Sequence, residues 1–159
     1  PCVFEGPVSP HLAAAAAGCR VEPGVIEAAL GRLSGLADCV LVEGVGGWLV
    51  PLNEVTDVAG LACRLDLPVI QVVGLRLGCI NHARLTQAAL LASGARIAGW
   101  IANHLEPELP HGAGVLATLT DCLASSPLGE LPFVGQSGHT TSTENAHWKI
   151  GEILRLLVP

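Results

Sequence analysis

Apolar residues run almost uninterrupted through three short stretches of the chain: Val40-Leu41-Val42, residues 69–74 and residues 97–103. Runs without polar alternation suit parallel strands covered on both faces, so each is predicted to be a buried strand. Between and around them apolar residues recur at helical spacing. Residues 10–17 are predicted to be helical, with Ser9 as cap, Pro10 in the first turn and Gly18 as the stop. A second helix is predicted over residues 23–36, with Ile26, Ala29, Leu30 and Leu33 on one face. A third begins at Thr56 or Asp57 and carries Ala59, Leu61 and Leu65. A fourth presents Leu85, Ala88, Ala89 and Ala92 on one face and ends at Gly94. A fifth runs from about Val115 to Leu123. Leu128-Gly129-Glu130-Leu131-Pro132 reads as a short strand, and Thr143 and Glu144 as the start of a last helix with Ile150, Ile153, Leu154 and Leu157 on its apolar face. Strand, helix and strand over residues 40–74 predict a βαβ unit with parallel strands.

Open parallel sheets bind ligands at the carboxyl ends of their strands, which makes the residues ending each run the candidates for chemistry. The first run ends at Glu43, followed by Gly44, Val45, Gly46 and Gly47. Glycines let backbone turn sharply and approach a bulky anion, and a carboxylate there suits Mg2+, a hard cation that prefers oxygen. The same residues equally describe a glycine turn with a solvated Glu. The second run passes through Arg76-Leu77-Gly78-Cys79-Ile80-Asn81-His82 into a helix, a natural anion site through its free amides. Cys79 beside His82 suggests a nucleophile, but capping or packing is the better account. The third run ends at Asn103, whose amide both donates and accepts and so suits a base edge, or else a turn. His11, in a first helical turn, is a further ligand candidate or a packing residue.

Composition narrows the classes. With 159 residues, half of them hydrophobic and 14% charged, the chain fits one domain with a substantial core, taken as residues 1–159. No apolar run approaches the ~18 residues of a membrane span. The net charge of -6 and the single lysine, Lys149, leave no basic stripe for nucleic acid. The six cysteines, at 2, 19, 39, 63, 79 and 122, are widely spaced. They predict buried reduced thiols of a cytoplasmic protein and make a zinc site a poor expectation. The chain contains no Met, and its N-terminus is expected to be processed, trimmed or incomplete.

The order of Ser9-Pro10-His11, Val42-Glu43-Gly44-Val45-Gly46-Gly47-Trp48, Pro68-Val69-Ile70 and residues 72–82 resembles the dethiobiotin synthetase family, a branch of the P-loop NTPase-like proteins. Ala98-Gly99-Trp100-Ile101-Ala102-Asn103 and Leu128-Gly129-Glu130-Leu131-Pro132 extend the match across most of the chain. The resemblance implies a three-layer α/β/α fold with a parallel sheet flanked by helices. It implies ATP-driven ring closure of 7,8-diaminononanoate with CO2 to dethiobiotin in biotin biosynthesis. In that chemistry a carbamate of the diamine is activated by the γ-phosphate, and the other nitrogen closes the ring. By motif, Glu43 would bind Mg2+, and Gly44, Val45 and Gly46 would lie beside the phosphates. Asn103 would read adenine, with Pro132, Phe133 and Val134 lining the nucleotide pocket. Leu77, Gly78, Cys79, Ile80 and Asn81 would bind the substrate carboxylate across a homodimer interface. The family's N-terminal strand and Gly-Lys-Thr phosphate loop do not occur in this sequence, nor do the lysines expected at the reacting groups. The chain therefore corresponds to the later two-thirds of a member and is expected to be inactive by itself. The alternatives are an amidoligase of the cobyrinate a,c-diamide synthase type and a non-catalytic, truncated binding protein.

Overall fold

A computed structural model describes residues 3–4, 8–133 and 147–148 of the chain. Contacts divide it into two compact units, one of residues 1–67 and 92–95, the other of residues 68–91 and 96–159.

The second unit carries the sheet. Strand β1 (Val69–Leu75) leads through helix α4 (Cys79–Ala92) to β2 (Ile97–His104), and helix α5 (Gly112–Cys122) leads to β3 (Gly129–Leu131). These three strands are parallel, in the order β1-β2-β3, and the expected α/β class with a parallel sheet and flanking helices is what forms. One face of the sheet holds the core: Val73 and Leu75 from β1 and Trp100 and Ala102 from β2 pack with Cys79 and Ala83 of α4 and with Leu119 and Leu123 beside them. Alternation decides this, since Val73 and Leu75, like Trp100 and Ala102, are two residues apart and share a face. Gly99 absorbs a bulge. The ladder slips between Val69 and Ile70 as Val69 faces Ile97 and Ile70 faces Gly99, whose φ is +150°. A Cβ on Gly99 would stand 2.8 Å from Leu128.

Two expectations fail here. The buried face of α4 is Cys79, Ala83 and Leu90, while Leu85, Ala88 and Ala92 are exposed. Helix α4 is apolar on more than one side, so periodicity does not single out the core face. At the other end, residues 147–148 lie within the expected last helix but form β4 (His147–Trp148), antiparallel to β3. Strand β3 has an edge whose donors and acceptors need partners, and a short strand supplies them. The apolar face expected from Ile150 onward lies outside the described residues.

The first unit contains helices α1 (Pro10–Ala16), α2 (Pro23–Ser34) and α3 (Val58–Leu65). Ser9 caps α1 through its carbonyl, which accepts the amides of Leu12 and Ala13, and its side chain makes no cap bond. Asp57 is the cap of α3, its Oδ1 accepting the Gly60 amide at 2.7 Å. The largest correction is the central strand. Residues 39–44 belong to no ladder, and Leu41 is 86% exposed. A strand is held by hydrogen bonds to a neighbour, and apolar residues alone do not make one. The βαβ unit predicted over residues 40–74 is thus absent from the described residues, and the unit that forms is β1-α4-β2. The thiols also differ from expectation: Cys79 is buried, whereas Cys19, Cys39, Cys63 and Cys122 are exposed.

Asn53 ties the loop ahead of α3. Its Nδ2 donates to the Val21 carbonyl at 2.8 Å, and its Oδ1 accepts the amides of Val55 and Thr56 at 3.0 and 2.9 Å. The residue is buried, so Asn53→Ala orphans three backbone groups and is expected to cost about 2–3 kcal/mol. A urea midpoint shift with unchanged slope reads this out, and a loss under about 0.5 kcal/mol would remove Asn53 from that role.

Candidate functional site

In the second unit the register brings three strand ends to one edge. Gly74 pairs with Asn103, and Asn103 with Leu131. Asn103 is therefore the last β2 residue paired with β3, not a turn residue. It lies on the sheet face opposite Trp100 and Ala102 and is half-buried. Leu105 folds back over Gly74, where a Cβ would come within 2.6 Å of it, so the glycine gives that side chain its place beside Asn103. Pro132, half-buried, and Phe133, exposed, leave β3 directly after Leu131. Asn103, Pro132 and Phe133 are thus brought together, and Val134 lies outside the described residues.

Strand β1 is followed by Arg76, Leu77 and Gly78 at this same carboxyl edge. Leu77 is 97% exposed and Gly78 has φ +93°, which places a tight turn ahead of α4. The turn uses the Cys79 amide, which donates to the Arg76 carbonyl, and the His82 amide, which donates to Gly78. Cys79 itself is in the core, so its thiol packs and does not face an open cleft. Ile80 is partly buried against that core, while Asn81 and His82 are exposed.

Glu43, Gly44, Val45 and Gly46 belong to the first unit. Gly46 and Gly47 have φ of +74° and +131°, conformations that side-chain-bearing residues rarely adopt, and the predicted glycine turn is present. The Trp48 and Val50 carbonyls accept the amides of Ala59 and Val58, which fastens this turn to the start of α3. Glu43 is exposed, and among the described residues no cation pairs with it. A lone carboxylate fits Mg2+, which keeps several waters and takes one or two carboxylates together with substrate phosphates. A cleft of about 380 Å³ lies in the same unit, lined by Leu49, Asn53, Thr56, Asp57, Gly60 and Arg64 among others, and it includes none of the predicted site residues.

Sequence reading missed one feature of the edge. His104 Nε2 lies 2.6 Å from Glu130 Oε1, with the two side chains 23% and 35% exposed. A charged residue inside a three-residue apolar strand is the signal that could have drawn attention to Glu130. Asn53 was likewise passed over, although an Asn two and three residues before turn amides is a known turn-former.

The model of the AAA domain family matches residues 1–141. The ATP-dependent dethiobiotin synthetase BioD of Aromatoleum aromaticum is 47% identical over 134 residues, 84% of this chain and 60% of that protein. The chain belongs to this family, on its dethiobiotin synthetase branch. The enzyme of the same name from Pseudescherichia vulneris is 43% identical over 148 residues, 93% of this chain and 61% of the relative. BioD 1 of Escherichia coli (strain K12) is 41% identical over 143 residues, 90% and 64% of the two chains. The chain thus spans about three-fifths of the length of these relatives.

Proposed function

We propose that the chain is the later part of a single dethiobiotin synthetase domain, and that the whole protein closes the ureido ring of dethiobiotin from 7,8-diaminononanoate and CO2 with ATP and Mg2+. The observation that carries this is the carboxyl edge of the parallel sheet, where Asn103, Pro132 and Phe133 stand together in a chain 41–47% identical to dethiobiotin synthetases. Asn103 reads the adenine edge through its amide, and Pro132, Phe133 and Val134 line the nucleotide pocket. Glu43 holds Mg2+, which when bound neutralises phosphate charge, and Gly44, Val45 and Gly46 let the backbone approach the phosphates. The segment Leu77, Gly78, Cys79, Ile80 and Asn81 receives the substrate carboxylate, with a second copy of the chain completing the site. The exposed apolar side of α4, with Leu85 and Leu91, supports that homodimer. The phosphate-loop lysine is not in this sequence, so turnover belongs to the whole protein and this chain alone is inactive. No helix among the described residues is long and apolar enough to cross a membrane. ATP chemistry and the unbridged cysteines Cys39, Cys63, Cys79 and Cys122 support a cytoplasmic location.

The test is formation of dethiobiotin from the diamine, bicarbonate, ATP and Mg2+ by the whole protein, followed by mass spectrometry. Absence of product, or amidation of a cobyrinate substrate instead, overturns the assignment. Within it, Asn103→Ala is expected to reduce the preference for ATP over GTP about tenfold, because a polar group matched to one base is lost. Equal preference before and after the change would return Asn103 to a purely structural place.

A further inference from the structure

We propose that the His104–Glu130 pair is a positioning clamp that fixes the end of β2 against β3 and so holds Asn103 and the Pro132-Phe133 segment in one geometry for the nucleotide base. The proposal rests on the nucleotide reading above and adds to it residues that do not touch the base.

The argument starts from a short ladder. Strands β2 and β3 share three pairs, Ile101 with Gly129, Ala102 with Glu130 and Asn103 with Leu131. The last pair contains the residue that reads the base. The backbone cannot extend the ladder from the next residue of β3, because Pro132 has no amide hydrogen to donate. A side-chain bond does so instead. His104 lies one residue past the final pair and Glu130 one before it, and both stand on the Ala102 face of the sheet. Their 2.6 Å contact crosses from strand to strand at the point where backbone bonds run out.

Burial makes the contact count. With the side chains 23% and 35% exposed, the pair is shielded more than a surface ion pair, and a hydrogen bond to a carboxylate is among the stronger ones. Its face is the one opposite Asn103. Neither His104 nor Glu130 therefore shares the face on which Asn103 meets the base, and their influence passes through the backbone of residues 103 and 131. Loosening that end would leave Asn103 present but free to sample other orientations. The consequence is weaker nucleotide binding and lower base discrimination, with the reacting groups untouched.

The whole protein tests this by calorimetric ATP binding and by turnover at saturating ATP. His104→Ala and Glu130→Ala are each expected to raise the Kd for ATP about tenfold and to lower the preference for ATP over GTP, while kcat stays within about twofold. The double variant should bind no more weakly than either single one, as for two residues acting through one bond. His104→Gln, whose amide can donate to Glu130, should restore affinity. His104→Phe keeps the ring volume without the bond and carries the same expectation where an alanine variant fails to fold. Unchanged Kd and base preference in these variants, or effects that multiply in the double variant, overturn the clamp alone. If the unaltered protein binds no ATP, the nucleotide reading falls and the clamp with it.

Discussion

Glu43→Gln in the whole protein is expected to lower Mg2+- and ATP-dependent dethiobiotin formation by roughly a hundredfold or more. Gln keeps the size and shape of the side chain and removes its charge, so the change isolates attraction for the cation. The structure separates this effect from folding. Glu43 is exposed, makes no ion pair among the described residues and sits on backbone that belongs to no ladder. Its loss should leave thermal stability within about 0.5 kcal/mol, as surface substitutions usually do. Product formation over a Mg2+ titration, read beside a melting curve, checks both halves. Turnover equal to that of the unaltered protein would take Glu43 out of the metal site. A large drop in melting temperature would make it a structural residue.

Trp100→Ala is expected to cost about 3–5 kcal/mol of stability. Trp100 is 1% exposed and stands at the centre of the sheet core with Val73, Leu75, Ala102 and Leu119. Its Nε1 donates to the Ser125 carbonyl at 2.8 Å, so the substitution opens a cavity and orphans a carbonyl together. Against the ~5–15 kcal/mol that holds a typical domain, such a loss brings the protein close to unfolding. Trp100→Phe should recover much of the packing and leave the Ser125 bond missing. Urea denaturation of the two variants separates the cavity from the hydrogen bond. A loss below about 1 kcal/mol for the alanine variant would mean that the core does not depend on this ring. The experiment also bears on the site, because Asn103 lies three residues further along the same strand.

How much of this was legible beforehand differs between the two units. For residues 68–133 the pattern of runs, glycines and prolines placed β1, α4, β2, α5 and β3 within a few residues of where they form. It also placed Asn103 near the carboxyl end of β2, where it pairs with Leu131. For residues 39–50 the same reasoning anticipated the glycine turn, which is present, and a buried strand, which is not. The difference is physical. Gly46 and Gly47 turn because of their own missing Cβ atoms, and α3 starts because Asp57 bonds to an amide three residues away. Such causes are local and can be read in order along the chain. Residues 40–42 require a neighbouring strand to accept and donate their hydrogen bonds, and that neighbour is not written in their own side chains.

The sequence by itself determined the class of fold, the family resemblance and the succession of elements in the second unit, because each follows from short-range periodicity, capping and turn chemistry. The tertiary structure decided which side of α4 is buried, that residues 147–148 pair with β3 and that His104 meets Glu130. Each of these depends on residues far apart in sequence finding one another. The hydrophobic effect rewards any apolar face that becomes covered, without specifying from one strip of sequence which face it will be.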